Sequence, residues 1–411
     1  MSIMTPKRTL ILCHNFEHHG SYFRAEKTAR HFVGLGHEVT FIHFGQANRF
    51  RPVVQREAGL KTVHSPLFTF CINQQDGWSA VDWLARMRQV IGGRFDLVIG
   101  FGHKPNILLP ARHCQYWQKS FVLVDWCDLW GEAEGLIRQV IMAAPEYRQR
   151  WLPTRLVRRT AFALESRLEQ NFCRKSSAAM TISRDLRERC LKQGIPEEKV
   201  ALVHSGCDTK RILPQNRVHC LDELEVELEG GPILGYIGNV HPDETILLKA
   251  FARICAKRND VTLLVAGADF QCDVAEVHGP GVAGRIVHLG RAPFARISRI
   301  LGACDALLLP MADIALNRSR WPHKFTDYLA AARPVVGTKV GDTAGFIEKY
   351  DTGLLSAPND EDFAEKILAL LDQPEQWTKL GENARALAEG ELSWGTQLGV
   401  LESFLSKLGA V

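Results

Sequence analysis

Short apolar runs alternate along the chain with longer segments whose apolar residues recur at helical spacing. Thr9–Cys13 reads as a strand followed by a polar loop, His14–Gly20. Ala25–Gly36 places Ala25, Ala29, Phe32 and Val33 on one helical face and ends in glycine. Val39–Phe44 predicts a second strand. The same grammar continues through a helix at Ser79–Ile91, strands at Asp96–Gly100 and Phe121–Asp125, and a long helix at Thr154–Phe172. Strand Ala178–Ile182, helix Asp185–Gln193 and strand Val200–Val203 close this half.

Between Cys207 and Gly231 the periodicity lapses, and Gly230-Gly231-Pro232 marks a linker. The alternation then restarts. Strands are expected at Pro232–Ile237, Val261–Ala266, Arg285–Leu289, Ala306–Leu309 and Val335–Gly337, with helices at Thr245–Lys257, Phe294–Cys304, His323–Ala332 and Asp360–Leu371. Short apolar strands separated by helices indicate parallel sheets with right-handed crossovers. Two such series predict an α/β protein of two doubly wound lobes with an interdomain cleft. No repeat and no low-complexity tract interrupts them.

Composition narrows the class. The 411 residues suit two or three domains, and 46% hydrophobic with 23% charged residues is ordinary for a globular protein. A formal charge of +4 gives no reason to expect nucleic acid. The apolar run near the N-terminus is too short for a secretory or spanning segment. The 11 cysteines are scattered, odd in number and without a Cys-x-x-Cys pair, so reduced thiols and a cytoplasmic location are expected.

In an open α/β sheet, ligands sit beyond the carboxyl ends of strands, near helix N-termini that favour anions. His14–Gly20-Ser21 in the first series and Gly238-Asn239 in the second fit that rule. Neither is a G-x-G-x-x-G turn, so a dinucleotide cofactor is poorly supported and each remains readable as a plain strand-to-helix turn. Arg318–Val336 carries more. Lys324 falls in the first turn of a helix, against the dipole, and a bound anion such as a nucleotide diphosphate would relieve that conflict. Asp327, one turn on, is placed to accept ribose hydroxyls. The plain alternative is a solvated charged face.

Taken in order, these motifs resemble the GT-B glycosyltransferases, in particular the retaining family 4 group (glycosyl transferases group 1). Gly20–Phe41 is similar to that family's glycine loop, first helix and Gly-His-x-Val strand entry. Thr181–Asp208 resembles its inter-lobe signature, and Gly235–Val240 the opening strand of its donor lobe. Val287–Arg291 and Cys304–Pro310 match the strands before the donor loop, and Pro322–Val336 its donor motif. Ser393-Trp394 resembles the start of a last helix that crosses back to the first lobe. The resemblance implies two Rossmann-like lobes: an acceptor-binding lobe at 1–215 with the crossover helix 391–411, and a nucleotide-sugar-binding lobe at 231–390. It implies a retaining, metal-independent transfer of a sugar from a nucleotide-diphosphate sugar to a glycan, lipid-linked or small-molecule acceptor, with no cofactor besides the donor.

His103, in FGHKPN, is similar to the active-site histidine of the His-x-Pro-Asn turn in phosphatidylinositol mannosyltransferases. The resemblance gives His103 and Lys324 catalytic roles. It gives donor binding to Gly238, Asn239, Arg291, Ser319, Lys324 and Asp327, and acceptor binding to Gly20, Ser21 and Asp128. Two departures stand out. The family's Glu-x7-Glu pair becomes Ser319 and Asp327, and Asn239 and Thr245 replace the usual basic residues after the donor lobe's first strand. Lys324 is thus expected to carry more of the phosphate charge, with Arg318 or Arg320.

Other features admit two readings. Cys13, His14, His18 and His19 crowd one loop, but their spacing fits no zinc pattern. Asp128 suits an acceptor contact or a loop cap. Arg148–Arg159 interleaves arginines with apolar residues, as a contact with the inner face of an anionic membrane would require, or as a solvated helix face would. A nucleotide-sugar epimerase of the same fold and a non-catalytic glycosyltransferase-like partner are the alternative functions.

Overall fold

An eight-stranded sheet organises the first part of the chain and a six-stranded sheet the second. The computed structural model describes residues 7–45, 51–66, 77–131, 135–142, 152–226, 230–238 and 243–411. The chain divides into two compact units, Met1–His204 with Leu398–Val411, and Ser205–Gln397.

The first sheet comprises β1 (Arg8–Phe16), β2 (Glu38–Phe44), β3 (Val53–Glu57), β4 (Leu60–Ser65), β5 (Leu97–Phe101), β6 (Phe121–Trp126), β7 (Ala178–Thr181) and β8 (Val200–Leu202). Their order is β3-β4-β2-β1-β5-β6-β7-β8, parallel throughout except for the β3–β4 hairpin. The apolar runs are those of strands covered on both faces: Leu10–Cys13 and Leu97–Ile99 are fully buried.

The second sheet comprises β9 (Ile233–Gly238), β10 (Thr262–Gly267), β11 (Ile286–His288), β12 (Ala306–Leu309), β13 (Val335–Thr338) and β14 (Gly353–Ser356). All pairs are parallel in the order β11-β10-β9-β12-β13-β14. Its core packs Leu234, Tyr236, Phe251, Leu263, Leu308 and Phe363. In both sheets the order reverses beside the first strand, between β1 and β5 and between β9 and β12. Those are the switch points at which open α/β sheets take ligands.

The division falls at Ser205, earlier than the break expected between Cys207 and Pro232. The intervening residues belong to the second unit because they bond there. Ser298 Oγ accepts from Leu213 N at 3.1 Å, Arg333 donates to the Gln215 carbonyl at 2.8 Å, and Arg217 pairs with Asp305 at 3.3 Å. Part of this stretch is helical, Arg217–Leu224, with Asn216 capping two backbone amides. The last helix, Trp394–Lys407, begins in the second unit and is grouped with the first from Leu398 onward. Lys7 Nζ ties that end to the first unit by donating to the Ala410 carbonyl at 2.7 Å. Among the described residues no helix is long and apolar enough to cross a membrane.

Candidate functional site

At the switch point of the first sheet, the carboxyl ends of β1 and β5 hold His14 and His103. His14 Nδ1 donates to the Phe101 carbonyl at 3.1 Å, and burial drives its pKa down to about 3, so the ring is neutral. His103, buried in the turn after β5, donates from Nε2 to Glu165 Oε1 at 3.0 Å. The same oxygen accepts from Lys104, whose ammonium lies 3.9 Å from the Trp130 ring centroid. Burial would raise the pKa of Glu165, but Lys104 and His103 outweigh it and hold it down at about 2. Both histidine rings meet Trp130 edge-on, each with centroids 5.8 Å apart.

Around them the charges pair internally. Arg24 grips Asp125 through two bonds of 2.8 and 3.2 Å, and Arg86 bonds Asp82 at 2.9 Å. Glu169 accepts from Trp126 Nε1 at 2.7 Å and from the amides of Trp130 and Gly131 at 3.0 Å.

At the switch point of the second sheet, β9 ends in Gly238 with φ +102°, a backbone that side chains rarely adopt. A Cβ there would stand 3.4 and 3.5 Å from Cε and Nζ of Lys324, so the lysine lies against bare backbone. Lys324 occupies the first turn of helix His323–Ala330, whose start has no side-chain cap. Its ammonium donates to the Tyr236 hydroxyl and sits 3.9 Å from that ring's centroid. Burial, reinforced by Arg320, lowers the Lys324 pKa to about 7. Among the described residues no carboxylate forms an ion pair with it.

Asp327 lies one turn further on the same helix but answers to other charges. Burial, with Asp208 adding to it and Arg211 opposing, raises its pKa to about 7. The charges that shift Asp327 are therefore not those that shift Lys324.

Several expected residues are placed differently. Arg320 pairs with Asp243 at 2.7 Å and Arg318 with Asp313 at 2.5 Å, so each cation expected to assist Lys324 already has a carboxylate. Ser319 is fully buried and donates to the Leu316 carbonyl at 3.1 Å, which leaves it no surface to offer a ligand. Gly20 has φ +51°, and a Cβ there would strike the Asn15 amide nitrogen at 2.8 Å. Asn15 thus lies on the Cβ side of Gly20, which is itself exposed, and accepts from Ser21 Oγ at 2.5 Å. Arg291 is exposed after β11, Asp128 is half-buried after β6, and Thr245 is exposed at the start of helix Glu244–Lys257. Asn239 lies outside the described residues, as do Arg148 to Trp151 of the basic segment. Of the crowded loop, Cys13 faces Ser21 Oγ at 3.6 Å while His18 and His19 are exposed.

Sequence reasoning missed Glu165, Glu169 and Asp243. Glu165 and Glu169 stand four apart between Phe162 and Phe172, a carboxylate pair on the apolar face of a helix, which is a readable signal. Asp243 precedes the first residue of its helix as a cap residue would, yet its carboxylate reaches Ala312 N at 2.9 Å and Asn317 at 2.7 Å. Those partners are distant in sequence.

Comparison with known proteins agrees with this layout. Residues 20–206 match the glycosyl transferase 4-like domain and residues 231–373 the glycosyl transferases group 1. The chain is 29% identical over 154 residues to the 2-deoxystreptamine glucosyltransferase of Streptomyces kanamyceticus, an alignment spanning 36% of this chain and 38% of that protein. It thus spans well under half the length of that relative. Among solved structures, sucrose-phosphate synthase from Thermosynechococcus elongatus superposes with a TM-score of 0.71 at 16% identity, covering 99% of this chain and 100% of that one. HepE of Anabaena, in complex with UDP and glucose, gives 0.66 at 14% identity, covering 98% and 100%. Two matched domains that together span most of the sequence, on two parallel α/β units of this strand order, show that the chain belongs to the group 1 glycosyltransferases of the GT-B fold.

Proposed function

We propose that the protein is a retaining glycosyltransferase that moves a sugar from a nucleoside-diphosphate sugar to a hydroxyl of a glycan, lipid-linked or small-molecule acceptor. The observation that carries this reading is Lys324, an ammonium held against Gly238 at a helix N-terminus and not ion-paired to any described carboxylate. A diphosphate there would gain the lysine charge, the positive end of the helix dipole and the bare backbone of Gly238.

In the proposed step, the bond from the anomeric carbon to the diphosphate oxygen breaks and the acceptor oxygen bonds to the same face of that carbon. The acceptor proton passes to the departing phosphate oxygen. Lys324 stabilises the charge that grows on the leaving group, and His103 orients the reacting hydroxyls. Asp327, protonated or ionised near neutrality, is proposed to contact the ribose. The scheme needs no cofactor besides the donor and no divalent metal.

The setting follows the same reading. The ten described cysteines are all unpaired, as suits the reducing cytoplasm. Helix Leu152–Lys175 exposes Leu152 and Leu156 beside Arg159, which suits peripheral contact with an anionic inner membrane face.

Incubation with a panel of nucleotide sugars and acceptors tests the proposal. Release of nucleoside diphosphate with a modified acceptor, unaffected by a chelator, is the expected result. An isomerised donor without acceptor modification, or no turnover of any donor, would count against it.

A further inference from the structure

A pocket of about 470 Å³ opens in the first unit at the amino ends of β1, β2 and β4. His14 and His103 lie beyond the other ends of those strands. Along β1, Arg8 in the pocket and His14 are roughly 20 Å apart at about 3.3 Å per residue, so this is a separate place in the fold.

Sheet register decides which charges face it. Arg56 and Lys61 are partners in the β3–β4 hairpin, and Lys61 is partnered on its other side by Thr40 of β2. These side chains share one face of the sheet, as do Glu38, two residues before Thr40, and its partner Arg8. Helix Ala80–Ile91 lies over that face: its Gln89 accepts from Lys61 Nζ at 3.1 Å, and Arg94, just past its end, also lines the pocket. Glu57 follows Arg56 and so turns to the opposite face, and it pairs with Arg30 at 3.4 Å. The carbonyl end of the helix is engaged as well, since Gln118 donates to Val90 and Gly93 at 3.0 Å each.

The pocket face thus carries Arg8, Arg56, Lys61 and Arg94 against Glu38, which lies 3.7 Å from Arg8. Like charges directly opposite one another in a hairpin repel. Burial first, and then Arg56, lower the pKa of the half-buried Lys61. Residues 1–6, which precede β1, contain no Asp or Glu to offset these cations. The chain leaves the described residues for 46–50 and 67–76 at the carboxyl ends of β2 and β4, away from the pocket. A bound anion would relieve the repulsion and gain charge-assisted hydrogen bonds.

We propose that this pocket is a second, non-catalytic site that takes a phosphate group, from a soluble phosphate ester or from a phospholipid headgroup, with Lys61 at its floor and Arg56 and Arg94 flanking the phosphate oxygens. It is independent of the transferase reading, which uses none of these residues.

Inorganic pyrophosphate titrated into the full chain carrying Lys324→Ala, which removes the anion contact assigned to the donor, is the test. The expected result is saturable binding that weakens at least about tenfold when Arg56→Gln and Arg94→Gln are added. No saturable binding in Lys324→Ala, or binding that the two arginine substitutions leave unchanged in a folded chain, would overturn the proposal. Sedimentation of the parent with phosphatidylcholine vesicles, with and without phosphatidylglycerol, separates the sources. Binding to the anionic vesicles that pyrophosphate displaces and the arginine substitutions abolish assigns the headgroup. Vesicle binding that is missing, or that survives both changes, assigns the soluble ester.

Discussion

The ammonium of Lys324 lies 3.9 Å from the ring centroid of Tyr236 and donates to its hydroxyl. A phenol can hold a lysine in place without cancelling its charge, as a carboxylate would. The first prediction follows from this environment. With its pKa lowered from 10.5 to about 7, Lys324 loses charge in the free protein as pH rises through neutrality. Nucleoside diphosphate binding should then weaken above about pH 7, by up to about tenfold per unit, with proton uptake on binding. Calorimetry in buffers of different ionisation enthalpy measures both. A flat affinity from neutral to alkaline pH would show that Lys324 is not the titrating group.

Asp327 provides a stability test. Its folded-state pKa is raised from 3.8 to about 7, so the native state binds the extra proton and stability falls as pH rises through that interval. Asp327→Asn should remove that slope. The variant is expected to gain stability over the parent chain near about pH 8 and to gain little near about pH 4. Urea midpoints at the two values compare them, and an equal change at both would contradict the assignment.

Arg24 and Asp125 form a fully buried pair, and the arginine also donates to the carbonyls of Val203 and His204 at 2.8 and 3.0 Å. Removing one partner strands the other charge. Asp125→Asn and Arg24→Gln should each cost about 3–5 kcal/mol, and the double variant clearly less than their sum. Equilibrium unfolding of the three variants checks this, and strict additivity would sever the proposed coupling.

His103→Ala should lower turnover far more than donor affinity. Its ring belongs to the first unit, while Lys324 and Gly238, proposed to bind the donor, belong to the second. Steady-state rates beside nucleotide titrations separate the two effects, and normal turnover would remove His103 from the chemistry.

Much of the fold was legible because buried parallel strands leave continuous apolar runs. Ala306–Leu309 and Asp360–Leu371 match their expected bounds, and most other ends shift by a few residues. The β3–β4 hairpin was missed because β3 is exposed along its whole length and has no apolar run to show. The Arg217–Leu224 helix was missed because only Cys220 and Leu224 are buried, too few to set a period. At the candidate site, Lys324 and His103 could be found from their local turns. The partners that decide their behaviour could not: Tyr236 is 88 positions from Lys324, and Glu165 is 62 from His103. Pairing at that separation depends on how strands and helices stack, which no local spacing encodes.

The central claim is that one lysine carries much of the diphosphate charge, and a titration of Lys324→Ala with UDP, GDP and ADP beside the parent chain tests it most directly. A charge-assisted contact is worth about 1.5–3 kcal/mol, so the nucleotide that binds the parent should bind the variant roughly ten- to hundredfold more weakly. Turnover should fall further still, because negative charge grows on the leaving group in the transition state. Unchanged affinity in a correctly folded variant would contradict the account and place the diphosphate elsewhere.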